Sequence, residues 1–318
     1  MIEDAFVAER KAEWDELERL LSTGSPLDTQ GQSAITRFSQ LYRALSADLM
    51  RARAEGYSGD LQYLLDSLAA RAHNTLYASA PYRTEDLVAL LTQAFPSAVR
   101  RYWWAMAISA VLFFLPFLIA FIGSFNDRAF ALSLLPADVA RGMEEAYSKG
   151  FADGRDPGMK ATMTGFYVYN NIGIAFRVFA TGVFFGLGSV FFLIYNGLFT
   201  GAVAGLVTTA GYGRNIFTFM AGHSVFELGA IVISGGAGIV MGDALVKTHG
   251  LTRWASLRRR GRELVALISG CACMLAIAAV IEGFWSPSSL PDQVKWVSAA
   301  MFFIIVLSYL VLAGRRRA

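Results

Sequence analysis

Long uncharged apolar runs fill the last two-thirds of the chain, and their lengths predict helices that cross a membrane. Trp103 to Gly123 (WWAMAISAVLFFLPFLIAFIG) carries no charge over 21 residues. That length spans about 30 Å of hydrocarbon at about 1.5 Å per residue. Similar runs at about 172–194, 197–213, 216–242, 264–284 and 296–313 predict about six transmembrane helices. Residues 1–83 read differently. Phe6, Trp14, Leu17, Leu20 and Leu21 recur at helical spacing with charged residues between them, the pattern of an amphipathic helix. A break at Ser22 to Pro26 ends that helix, and two further helical patterns follow at 31–55 and 58–79, separated by Gly56 and Gly59. Residues 84–101 (TEDLVALLTQAFPSAVRR) form an apolar stripe of Leu87, Leu90, Leu91 and Phe95. With Thr84 as N-cap and Pro96 as a bend, this segment predicts an amphipathic helix in the membrane interface. The expected architecture is therefore all-α: a cytosolic helical domain at 1–83, the interfacial helix at 84–101, and a polytopic helical bundle at 102–318.

Glycine and polar residues interrupt the apolar runs in an ordered way. Sixteen of the thirty glycines fall between Gly165 and Gly242. Gly182 and Gly186, then Gly197, Gly201 and Gly205, recur every fourth residue, as small residues do where two membrane helices approach closely. Gly238 and Gly242 share a face with His223, Glu227 and Ser234. Asn170, Arg177 and Thr181 lie near whole helical turns of one another. Asn171 adjoins Asn170, and Asn196 is expected to open the third span. A charge at hydrocarbon depth costs roughly 3 kcal/mol or more unless it is paired or neutralised. Asn170, Asn171, Arg177, Asn196, His223 and Glu227 are accordingly the candidate intramembrane polar cluster.

Composition supports the membrane class: 55% of residues are hydrophobic and the mean hydropathy is +0.44. Basic residues set the orientation. Arg100 and Arg101 precede the first run, Lys247, Arg253, Arg258, Arg259, Arg260 and Arg262 follow the fourth, and Arg315 to Arg317 end the sequence. The positive-inside rule makes all three segments cytoplasmic, with both termini inside. Residues 124–170 hold five basic and six acidic groups, including the turn-rich GFADGRDPG, and are expected to lie outside. The start MIEDAFVAERKAEWDELERL has no signal-peptide pattern, so the first apolar run is expected to direct insertion. The pI near 8.9 comes from the juxtamembrane basic clusters. Contact with anionic membrane lipid accounts for them, and no nucleic-acid partner is required.

The sequence carries few of the patterns that catalysis needs. His223 and Glu227 at i and i+4 supply two candidate metal ligands, whereas a catalytic zinc site takes three protein donors. His73 and His249, the other histidines, fall in segments expected to be cytosolic, and HExxH is absent. No metal or other cofactor is therefore expected, and the pair reads as a polar clamp between helices. Cys271 and Cys273 read as packing residues, because two positions apart they face different sides of a helix. Neither GxSxG nor a P-loop occurs. An enzyme is not expected. A transporter or channel built around His223 and Glu227 is the alternative class, although the halves show no internal repeat.

The segments YNNIGIAFRVFATGVFFGLGSVFFLIYNGLFTGAVAG and GHSVFELGAIVISGGAGIVMG resemble the stage II sporulation protein M family. Asn170 and Asn171, an Asn196-Gly197 turn, His223, Glu227 with Leu228, and Gly236 to Gly242 carry the resemblance in order. FVAERKAEWDELERLL, QLYRALSADLMRAR and YLLDSLAARAHNTLY resemble the cytosolic extension of versions from non-sporulating bacteria. The resemblance implies a scaffold at the bacterial cytoplasmic (inner) membrane. In spore formers the family member anchors peptidoglycan-degrading enzymes; elsewhere its genes lie beside those of a MoxR-type AAA ATPase. Envelope enzymes outside and such an ATPase inside are thus the expected partners, with a homodimer as the expected assembly.

Overall fold

A computed structural model describes residues 3–22, 32–77, 84–148 and 157–315, and among them all regular structure is helical. The break at 23–26, most of GFADGRDPG, the Thr84 side chain, and Arg316 and Arg317 lie outside the described residues. The chain forms two compact units, Met1–Arg83 and Thr84–Ala318.

The first unit is a bundle of α1 (Glu3–Ser22), α2 (Gln32–Ala54) and α3 (Gly59–Tyr77). Phe6, Leu17, Phe38, Leu45 and Leu65 are fully buried where the three apolar faces meet. One polar group enters this core. Asp48 is buried and accepts hydrogen bonds from Trp14 Nε1 at 2.9 Å and Arg10 Nε at 2.9 Å. Burying a carboxylate without donors would be costly, and these two satisfy it.

The second unit begins with α4 (Thr84–Ala89), a π-turn (Leu90–Ala94) and α5 (Phe95–Arg101). Phe95 is buried against Gly270, and the Tyr309 hydroxyl donates to the Leu91 carbonyl. The long helices follow: α6 (Trp103–Asn126), α9 (Pro157–Ala180), α10 (Leu187–Val207), α12 (Ser224–Val246), α13 (Arg253–Val280) and α14 (Asp292–Leu312). Shorter helices, α7 (Arg128–Leu134), α8 (Ala137–Ser148) and α11 (Gly213–Met220), connect them. Five helical stretches among the described residues are long and apolar enough to cross a membrane: Trp103–Asn126, Leu187–Met220, Ser224–Val246, Arg253–Trp285 and Asp292–Leu312.

The difference from the expected six runs lies at 172–194. That run is not one helix. It breaks at a 3-10 turn (Thr181–Val183), where Phe185 and Gly186 have φ of 55° and 85°, and the chain reverses into α10. Asn196 and Gly197 consequently do not open a span or form a turn; they lie in the middle of α10. The other boundaries also move. The run at 216–242 is divided between α11 and α12 around 221–223. Arg258 to Arg260 belong to the continuous helix α13, not to a loop.

Glycines set the topology. Cβ atoms added at Gly197, Gly201 and Gly205 would strike the backbone around Phe113, Phe117 and Phe121 in turn. The residue numbers rise together, so α10 runs parallel to α6. The chain must return between them, and α9 does this: its 24 residues extend about 36 Å. The basic residues flanking α6 and α13 gather at one end of the bundle. There Arg100 donates to the Leu310 carbonyl, Arg101 pairs with Glu263, Arg253 lies over the Phe185 ring and Arg260 pairs with Asp243.

Candidate functional site

Opposite the basic end, three helix termini place polar groups together inside the bundle. α11 stops at Met220 and α12 starts at Ser224, so His223 occupies the N-cap position of α12. The tight junction depends on Gly222: a Cβ there would lie 3.0 Å from Ile281 Cγ2 and 3.1 Å from Trp285 Cδ1. Ser224 closes the junction by donating its hydroxyl to the Met220 carbonyl. His223 is only 4% exposed; its ring meets Phe219 edge-on, and Nδ1 lies 3.0 Å from Ser286 Oγ. One turn into α12, Glu227 Oε2 is 3.7 Å from His223 Nε2. That separation is outside hydrogen-bonding range, so the two side chains are not hydrogen-bonded to each other.

The structure adds a third group that sequence reasoning passed over. Glu282 lies in the π-turn Ile281–Trp285 that extends α13, and it is 7% exposed. One donor atom from each of His223, Glu227 and Glu282 falls within 4.8 Å of the other two. The third protein donor missing from the sequence argument against metal is therefore present. Glu282 was detectable as the single charge in the run 264–284. Asn171 Nδ2 donates to Glu282 Oε2 at 3.4 Å, and Asn170 Nδ2 donates to Asn171 Oδ1 at 3.2 Å. Lys295, 3% exposed at the start of α14, gives its ammonium to the Ser286 and Ser288 carbonyls, both at 2.8 Å. α9, α12, α13 and α14 thus converge on one buried polar cluster, whose two carboxylates would each cost several kcal/mol in hydrocarbon unless neutralised.

Arg177 and Asn196 lie elsewhere. Arg177 turns its Nε onto the Gly173 carbonyl at 3.0 Å, and Asn196 donates to the Phe192 carbonyl at 2.7 Å, each within its own helix. With Asn170, Ile174 and Tyr195 they line a separate cleft of about 200 Å³. Of the six candidate residues, Asn171, His223 and Glu227 gather around Glu282, Asn170 joins them only through its bond to Asn171 and also lines the cleft, and Arg177 and Asn196 lie apart.

The glycines act at contacts. Gly182 meets Gly238 and Gly186 meets Gly242, backbone against backbone, while Gly197, Gly201 and Gly205 seat α10 on α6. Two buried serines seal the same interfaces: Ser189 Oγ donates to the Val178 carbonyl at 2.6 Å and Ser109 Oγ to the Val232 carbonyl at 2.7 Å.

Residues 92–287 match the family model for stage II sporulation protein M. The chain belongs to the stage II sporulation protein M family. In this family member the match runs from the π-turn before α5 to just beyond Ser286, so His223, Glu227, Glu282 and Asn171 all fall inside it and α14 falls outside. Residues 4–78 match a separate model, a domain of unknown function (DUF8413), over the N-terminal three-helix unit. No curated protein and no solved structure matches the chain.

Proposed function

We propose that the protein is a non-enzymatic membrane scaffold that recruits or anchors envelope-remodelling partners at the bacterial cytoplasmic membrane. The observation that carries this reading is the construction of the bundle. Its central helices meet backbone to backbone at Gly182–Gly238 and along Gly197, Gly201 and Gly205. Such contacts suit a fixed platform, because backbones that touch leave no room between the helices at those points. The N-terminal unit has its own core, so it can engage a partner as a module. By the positive-inside rule the basic end faces the cytoplasm together with both termini, and α7 and α8 face outward. A MoxR-type AAA ATPase is then the candidate partner inside and peptidoglycan-remodelling enzymes are the candidates outside. The basic end also suits anionic lipid, and the assembly is a homodimer.

The test is capture of the full-length protein from its native membrane in mild detergent, with mass spectrometry of the eluate and flux assays on the same protein in liposomes. Reproducible enrichment of an envelope enzyme or a AAA ATPase, without flux, is the expected result. Flux that depends on Glu227, with no enriched partner, would replace the scaffold by the transporter alternative.

A further inference from the structure

The cluster of His223, Glu227 and Glu282 has a donor set that a hydrogen-bonded clamp does not need. We propose that these three side chains bind one divalent transition-metal ion, of the Zn²⁺ or Mn²⁺ type, joining the start of α12 to the end of α13. The inference does not rest on the scaffold reading.

His223 Nε2 and Glu227 Oε2 stand 3.7 Å apart, too far for a hydrogen bond. Two ligands of one tetrahedral ion, each bonded at about 2.0–2.1 Å, stand about 3.3 Å apart. The full set of donors lies within 4.8 Å, so small side-chain rotations close it around a single ion. Among the described residues no hydrogen bond reaches the Glu227 carboxylate, which leaves its lone pairs for the ion.

The surroundings of the three side chains also suit a metal. A metal-bound histidine ordinarily donates its other ring N–H to an oxygen, which fixes the tautomer. Here Nδ1 lies 3.0 Å from Ser286 Oγ, and a proton on Nδ1 leaves Nε2 as the free donor facing the carboxylates. Asn171 holds one oxygen of Glu282 at 3.4 Å, and Asn170 in turn holds Asn171. Lys295, the buried cation nearest in the fold, is engaged by the Ser286 and Ser288 carbonyls. Glu282 also sits in a π-turn, an irregularity that re-aims a side chain out of helical register and recurs at functional sites.

The donor chemistry selects the ion. One imidazole and two carboxylates suit Zn²⁺, Mn²⁺ or Fe²⁺, whereas Mg²⁺ and Ca²⁺ prefer oxygen-only shells. Two carboxylates and a divalent cation also cancel in charge, which resolves their presence within apolar helices.

The experiment uses the full chain with a histidine-free affinity tag, purified in mild detergent without chelator and assayed by elemental mass spectrometry. About one zinc or manganese per chain is expected. Glu227→Gln, Glu282→Gln and His223→Gln should each lower metal content at least tenfold, and Asn171→Ala should weaken affinity about 10–100-fold. Asn196→Ala, in the separate cleft, should keep the metal. After chelator treatment the melting temperature of the wild type should fall and recover with Zn²⁺ or Mn²⁺, but not with Mg²⁺. A monodisperse wild type without first-row metal, whose melting temperature ignores chelator and added ion, would overturn the proposal. So would metal retained in all three ligand variants. If those variants aggregate, the stoichiometry and chelator response of the wild type decide the question alone.

Discussion

Gly182 and Gly238 meet so closely that a Cβ on Gly182 would lie 2.6 Å from Gly238 Cα. Neither atom belongs to a side chain that can turn away, so any larger residue must separate the two helical segments. Further along the same faces, a Cβ on Gly242 would lie 2.6 Å from Gly186 Cα. The turn 181–186 is thereby fastened to the second half of α12 by contacts that only glycine permits.

Gly182→Ala should accordingly destabilise the bundle by about 1–3 kcal/mol, the ordinary cost of overpacking. Gly142→Ala is the matched control: Gly142 lies within α8, and nothing stands within 4 Å of its added Cβ. It should gain about 0.5–1 kcal/mol from reduced backbone freedom. Melting temperatures in one detergent, down for the first variant and level or up for the second, check the pair. Equal shifts would mean that the close contact does not limit stability.

Gly186 isolates backbone strain from crowding. Its φ is 85°, yet an added Cβ would meet only ordinary contacts, 3.8 Å from Gly242 Cα. Gly186→Ala should cost about 1–2 kcal/mol for holding a side chain in the left-handed region. Gly186→Asn should cost less, because asparagine tolerates that conformation. The ranking glycine, asparagine, alanine in thermal stability is the readout; alanine equal to glycine would show that the turn relaxes.

This turn also explains which parts of the molecule were legible in the sequence. Run length and lack of charge identify α6, α12, α13 and α14 well, because those helices obey the hydrocarbon-thickness rule one at a time. The stretch GVFFGLG is as apolar as its neighbours, so hydropathy carries no trace of the reversal at Phe185 and Gly186. Only the positive-φ potential of glycine hints at it, and most of the glycines in these helices serve packing instead. The polar cluster was half legible. His223 and Glu227 are four apart and share a face by helical period, but Glu282 reaches them through the fold, from 55 positions away in the chain. Depth in the apolar runs groups Arg177 and Asn196 with them. Once the run at 172–194 splits, that shared depth no longer places them together.

In the N-terminal unit, Asp48 should prove the most sensitive polar position. Asp48→Ala strands the buried Trp14 N–H and removes one of the two acidic partners of Arg10, which keeps Glu13, and should cost about 2–3 kcal/mol. Trp14→Phe leaves Asp48 paired with Arg10 and still fills the core beside Phe6, where the two rings now pack edge-on at 5.7 Å. It should cost about 1 kcal/mol. Hydrogen exchange of residues 3–77 in the full-length protein measures both. Comparable protection in wild type and Asp48→Ala would mean that the buried carboxylate does not hold α1 to α2.

Tyr102 yields a prediction at alkaline pH. It caps α5 and is 7% exposed, and its hydroxyl donates to Glu263 Oε2 at 2.6 Å, while Arg101 holds the other oxygen of that carboxylate. Burial, reinforced by the hydrogen bond to the Glu263 carboxylate and its negative charge, pushes the phenol up from 10.0 to about 12. A raised value means that the folded protein holds this proton more tightly than the unfolded chain does. The resulting stabilisation is fully present below pH 10 and is lost as pH rises through about 12. The wild type minus Tyr102→Phe difference in ultraviolet absorbance should therefore show one tyrosine ionising well above the ordinary value. Glu263→Gln should bring that transition down, because the neutral amide no longer repels a phenolate. It should also flatten the fall in melting temperature above pH 10. A Tyr102 transition at 10.0 in the folded wild type would show that the phenol is solvated and that the contact between α5 and α13 is open.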